Sequence, residues 1–193
     1  ASIFSAKKDV ATARKLLERA LQLQPTYVPA AINLAQMDLL DKNPKLARQR
    51  LETILDKEKS NVQAMLALAS LAPQLGATSK QAIGWLERAV SASSGALQPQ
   101  LMLAHAYAEE GELKKALEVA QRAHSANPES AESLDTLGRI QIAAGEKEQA
   151  LASYGKLVEL QPNSPLALYY LASAQALGGD TAAASGTLKK TLV

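Results

Sequence analysis

Imidazole is the side chain most ready to bind a metal or move a proton near neutral pH, so the two histidines come first. His105 stands four residues before Glu109, which on a helix puts both on one face as half of a metal site. Two ligands do not close a coordination sphere, and a weak surface pair worth about 0.3 kcal/mol accounts for the spacing. His124 falls in the last turn of a helical stretch, where the dipole favours a cation, and needs no further role. Cysteine is absent, which removes disulfides, thiolate zinc sites and cysteine nucleophiles together. No glycine-rich phosphate loop and no serine, histidine and aspartate in a recognisable order occur. Trp85, directly after Gly84, reads as core and not as a stacking platform. The expectation is a chain with no catalytic residue, no metal and no cofactor, hence not an enzyme.

Composition narrows the partners. The chain has 193 residues, 47% of them hydrophobic and 21% charged, as in a folded globular protein. Its net charge of +2 is too small an excess for the electrostatic footprint of a nucleic-acid binder. Charges also break every apolar stretch well before the roughly 20 residues that a membrane span requires.

The organisation that positions the side chains is periodic. Small residues recur at Ala13, Ala47, Ala82, Ala116, Ala150 and Ala184, spaced by 34, 35, 34, 34 and 34. A second small column runs through Ala35, Ala69, Ala104, Gly138 and Ala172, beside a leucine column at Leu34, Leu68, Leu103, Leu137 and Leu171. Within each period the apolar residues fall at helical spacing, as in Leu113, Ala116, Leu117 and Ala120, so each period predicts two amphipathic helices. Gly111, Gly145 and Gly179 punctuate the joint between them, and Asn43-Pro44 and Ser164-Pro165 read as an N-cap followed by proline at the first helical position. Small residues at the helix crossing let the backbones approach, and the leucines fill the space beside them.

One period departs from the rhythm. An extra residue enters between Ala69 and Ala82, and Pro73 falls where the first helix should continue, which predicts a shortened helix. A turn capped by Thr78 and Gln81 is favoured over a protruding recognition loop. At the ends, the register puts Ala1 in the second small column and Phe4 in the column of Tyr107, while Val193 falls inside a second helix. The chain is therefore expected to be a piece of a longer array, whose cut ends would expose apolar faces able to pair copies end to end.

The residues Leu137-Gly138-Arg139-Ile140-Gln141, Gly145, Ala150, Tyr154 and Pro162, together with Leu103-Ala104-His105-Ala106-Tyr107, Gly111, Ala116, Ala123 and Pro128, resemble the tetratricopeptide repeat, a 34-residue helix-turn-helix. The large tryptophan of that family's first helix is missing throughout. The resemblance implies an all-α fold, a right-handed superhelical solenoid of antiparallel helix pairs over 1–193, with a partial repeat at 1–27, repeats at 28–61, 62–96, 97–130 and 131–164, and a truncated repeat at 165–193. It also implies that first helices line a concave groove. The candidate partner-binding residues are then Gln36, Leu40, Gln63, Leu66, Ser70, Gln98, Leu101, His105, Glu109, Glu132, Asp135, Arg139, Tyr169 and Ser173. Arg139 is the one basic residue inside these first helices, set against Asp38, Glu109, Glu110, Glu132 and Asp135. The groove is thus expected to be neutral to mildly acidic and to take a neutral or basic protein or peptide segment. The lysine, asparagine and arginine clamp of chaperone-binding members is missing.

The string Ala150-Leu151-Ala152-Ser153-Tyr154-Gly155-Lys156-Leu157-Val158-Glu159-Leu160-Gln161-Pro162-Asn163-Ser164-Pro165 further resembles the tetratricopeptide-repeat lipoproteins of bacterial exosortase, or PEP-CTERM, sorting systems, which are linked to exopolysaccharide export. That resemblance implies a periplasmic scaffold, or one anchored to the membrane by a lipid outside this segment. A cytoplasmic adaptor or peptide-sensing regulator, and the repeat region of a larger enzyme such as a glycosyltransferase, stay open as alternatives.

Overall fold

The computed structural model describes residues 7–192. The expectations for Ala1, Phe4 and Val193 lie outside the described residues. Within them the secondary structure is helical throughout, with eleven α-helices and no strand. Helix α1 (Lys7–Leu23) is followed by five pairs, each a first helix and a second: α2 (Val28–Leu40) with α3 (Pro44–Lys57), α4 (Val62–Ser70) with α5 (Ser79–Ala92), α6 (Leu97–Glu109) with α7 (Leu113–Ala126), α8 (Ala131–Ala143) with α9 (Lys147–Leu160), and α10 (Pro165–Gly178) with α11 (Thr181–Lys189). A 3₁₀ turn covers Lys190–Leu192. Contacts divide the chain into two compact units, residues 1–94 and 95–193.

The helix ends follow from local chemistry. The side chains of Asn43, Asn61, Ser130, Ser164 and Asp180 each accept a hydrogen bond from the backbone N–H three residues on, satisfying a donor that the first turn leaves open. Gly145 ends the α8 turn at φ +79°, a left-handed conformation that costs an L side chain strain.

In the first unit α4 stops after nine residues, because Pro73 cannot continue it, and Leu71–Gly76 forms turns. The inserted segment does not protrude: Ala72 and Leu75 are buried. Thr78 and Gln81 close a capping box at the start of α5, with Thr78 N–H donating to Gln81 Oε1 at 3.0 Å and Gln81 N–H to Thr78 Oγ1 at 3.3 Å. Trp85 is buried, with the Arg48 guanidinium 5.5 Å from its ring centre.

The small columns are where the helices meet. Ala35, Ala47, Ala104, Ala116 and Ala150 have no exposed surface, and Leu34, Leu68, Leu103 and Leu137 are buried beside them. In the second unit Gly138 lies against the Tyr154 ring: a Cβ at 138 would meet Tyr154 Cζ at 2.7 Å. Tyr154 itself is 0% exposed and stacks on Tyr170, ring centres 5.3 Å apart.

A further regularity joins the two helices of a pair. Arg50 Nε donates to Asp38 Oδ2 at 2.5 Å, Ser153 Oγ donates to Gln141 Oε1 at 2.7 Å, and Thr187 Oγ1 donates to Gln175 Oε1 at 2.8 Å. Each link spans 12 residues and occurs at the same place in its repeat. The corresponding places in the other two pairs hold Ala72 with Trp85 and Tyr107 with Val119, all four buried. Polar residues therefore face polar residues at this register, and apolar residues occupy both places otherwise, so that no buried hydrogen-bonding group is stranded there.

Asp38 corrects the expectation of an acidic groove residue. It is 2% exposed, and besides Arg50 it accepts from Arg14 Nη1 at 2.6 Å, while Arg14 Nη2 reaches Asp41 at 2.7 Å. The carboxylate is neutralised inside the first unit and ties α1 to α2 and α3. Its charge does not reach the groove because its register is that of Tyr107 and Gln141, which point inward as well.

Candidate functional site

In each unit the first helices lie side by side, α2 with α4 in the first and α6 with α8 in the second. On α2 and α4, Gln36, Leu40, Gln63 and Ser70 are exposed and Leu66 is half-buried. These form a polar-amide and leucine surface without a charge among them. In the second unit Gln98, Glu109, Glu132, Arg139 and Tyr169 are exposed, while His105, Asp135 and Ser173 are half-buried. Leu101 departs from the expectation: it is 2% exposed and belongs to the core. At the register where Asp135 and Tyr169 keep open surface, a leucine gains by sinking inward.

The charged residues brought together are His105, Glu109, Glu132, Asp135 and Arg139, all close enough to act on the His105 imidazole. His105 Nε2 lies 3.3 Å from Thr136 Oγ1, joining α6 to α8 in place of a simple pair with Glu109. Burial holds the His105 pKa below its ordinary value, with Arg139 acting in the same direction and Asp135, Glu109 and Glu132 opposing. Asp135 is shifted the other way: burial raises its carboxyl pKa, against Arg139 and His105. Its Oδ1 is buried without a hydrogen-bond partner among the described residues, and so is the Tyr154 hydroxyl. Burial pushes the Tyr154 phenol up, and the neighbouring Asp135 charge adds to the shift. Among the described residues Glu109, Glu132 and Arg139 form no ion pair. In the sequence Tyr154 stands out only as part of the repeat motif, and Thr136 does not stand out at all.

His124 falls in the last turn of α7 as expected, but it has a further contact there and does not stand as a free cation. Its Nδ1 lies 3.2 Å from Ser133 Oγ, and burial, with Lys156 nearby, lowers its pKa. The ring joins α7 to α8 as a neutral hydrogen-bonding group. Because both histidines titrate below the ordinary 6.5, the unfolded chain takes up protons there before the folded one does. Their contribution to stability is therefore whole above 6.5 and declines as pH falls through the lowered folded values. The thermal midpoint should drop between about pH 7 and pH 5.5, and H105Q/H124Q should flatten that decline. An unchanged slope in the double variant would refute the assignment.

Among the described residues no group of three or more histidine, aspartate or glutamate side chains is placed to hold a metal ion, and no helix is long and apolar enough to cross a membrane.

Comparison with known proteins agrees with the repeat geometry. Family models of the tetratricopeptide repeat match residues 5–71 and 136–191. The model of the anaphase-promoting complex, cyclosome, subunit 3 matches residues 77–157. No curated protein matches the chain. Among solved structures, a MamA protein is 21% identical with a TM-score of 0.70, covering 86% of this chain and 90% of that one. MamA from Desulfovibrio magneticus RS-1 is 18% identical, also with a TM-score of 0.70, covering 86% of this chain and 93% of that one. YrrB, described as a TPR protein with an unusual peptide-binding site, is 20% identical with a TM-score of 0.67, covering 91% and 90%. At these identities the likeness is one of fold. With the 34-residue columns, the five helix pairs and the two matching repeat models in agreement, the chain is a tetratricopeptide-repeat protein.

Proposed function

We propose that this chain is a non-enzymatic scaffold that binds a neutral to basic protein or peptide segment along the first helices of residues 95–193. Tetratricopeptide repeats generally mediate protein–protein interaction, and the peptide-binding site of YrrB is on a chain of the same fold. The observation that carries the reading is a contrast. Asp38, the charged residue that points inward from a first helix, is neutralised by two arginines, whereas Glu109, Glu132 and Arg139 on α6 and α8 are exposed and pair with no described residue. Side chains left in this state gain most from a partner that supplies complementary charge.

Selection of peptides on the purified chain from a phage-displayed random dodecapeptide library tests the reading. Affinity of the selected peptides should fall at least tenfold in E132K/D135K and stay unchanged in K114E, because Lys114 is exposed on the second helix α7. Equal effects from both variants would sink groove recognition. The resemblance of residues 150–165 to exosortase-associated lipoproteins supports placing the scaffold in the bacterial envelope, in protein sorting or exopolysaccharide export. Cell fractionation of the bacterium that encodes the chain tests this: recovery with the envelope is expected, and recovery in the cytosol alone would remove the envelope assignment.

A further inference from the structure

The polar groups beneath the groove of residues 95–193 are arranged asymmetrically. Tyr154 reaches α8 from α9 and its Cζ sits 2.7 Å from where a Cβ on Gly138 would be. Asp135 lies one turn earlier on α8, on the face that Gly138 shares at i, i+3 spacing. Phenol and carboxylate therefore lie near each other, the Tyr154 hydroxyl and Asp135 Oδ1 both buried, and neither has a hydrogen-bond partner among the described residues. Native chains rarely strand even one such group, and two close enough for the Asp135 charge to act on the phenol, yet not bonded to each other, call for an explanation.

Charge decides what would complete it. Asp135, Glu132 and Glu109 face Arg139 and a neutral His105, so the neighbourhood lacks positive charge. Arg139 does not meet the need, since it is exposed and makes no ion pair with Asp135. Shape decides further. With Oδ1 buried, a ligand can reach only the open edge of the carboxylate, and a guanidinium fork that addresses both oxygens has no purchase there. A compact ammonium on a flexible stem does. On α10, Leu166 and Tyr169 are exposed, and the Tyr169 ring is 5.7 Å from Tyr170, which in turn stacks on Tyr154.

We propose that Asp135, positioned by the Tyr154 hydroxyl, is the docking point for a lysine side chain of the partner segment, with apolar neighbours of that lysine lying on Leu166 and Tyr169. Asp135 contacts the ammonium directly. Tyr154 is a positioning residue: its hydroxyl takes up Oδ1 when the carboxylate turns to the ligand. The identity of the partner rests on the groove reading above, and the cation site does not.

Titration with n-butylammonium chloride, followed through the backbone amide signals of the ¹⁵N-labelled chain, reads the site alone. Saturable shifts are expected at residues 132–139 and at Tyr154, lost in D135N and weakened at least threefold in Y154F. The Y154F thermal midpoint should equal or exceed that of the parent, because the hydroxyl has no partner before the ligand arrives. An equal response to acetamide or to n-butylguanidinium, wild-type affinity in Y154F, or a lowered Y154F midpoint would each overturn the proposal. Library peptides that bind the groove without lysine enrichment would also overturn it while leaving the groove reading intact. Butylammonium binding at Asp135 with no peptide selected would do the reverse.

Discussion

Asp38→Ala is expected to lower the unfolding free energy by about 2–4 kcal/mol, the largest single loss foreseen for this chain. The carboxylate is 2% exposed and receives Arg14 and Arg50 from the helices on either side. Removing it leaves two guanidinium groups facing each other in a space built for a negative charge. The arginine side chains keep 24% and 17% exposure, so water relieves part of the penalty and the loss stays below that of a sealed pair. Because the network ties α1 to its neighbours, limited proteolysis should cut α1 first in the variant. Urea denaturation gives the magnitude, with the exposed Asp56→Ala as a control expected to stay within about 0.5 kcal/mol. A loss under about 0.5 kcal/mol for Asp38→Ala would show that the network does not hold the first unit together.

Gly138→Ala should cost about 1–2 kcal/mol in spite of alanine's better helix propensity. The added methyl would meet three atoms of the Tyr154 ring, at 2.7, 2.9 and 3.0 Å. That ring cannot retreat, because Tyr154 is fully buried and Tyr170 stacks on it. Gly155→Ala on α9 supplies the opposite sign. Nothing lies within 4 Å of its Cβ position, so the propensity gain of up to about 1 kcal/mol stands unopposed. Both variants in one denaturation series separate close packing from backbone entropy, and a stabilised Gly138→Ala would refute the tight crossing.

Most of the fold was legible because the repeat multiplies weak signals. A single alanine says little, but Ala47, Ala116 and Ala150 in phase identify a helix crossing, and all three prove to be without exposed surface. Pro73, Thr78 and Gln81 were readable individually, since proline and capping chemistry act within a few residues. The site was less legible. By residue type Asp38 belongs with the groove, although its register matches the inward-facing Tyr107; the arginine partner 24 residues away is not a local signal. His124 reads as an end-of-helix cation because periodicity cannot foresee its burial or its contact with Ser133. The stranded Tyr154 hydroxyl was hidden by the ring that carries it, which fits the packing column of an apolar residue.

The twelve-residue links between the helices of a pair bear on how such a chain can change over time. When a repeat is copied, its internal couple of Gln141 with Ser153, or Gln175 with Thr187, travels with it, so the duplicate arrives already self-consistent. Drift at one member alone strands a buried polar group, and only a matching change in the other restores the balance. Ancestry should therefore be inherited by whole hairpins, and chimeras spliced at the boundaries between repeats should fold where those spliced inside a hairpin, between its two helices, do not.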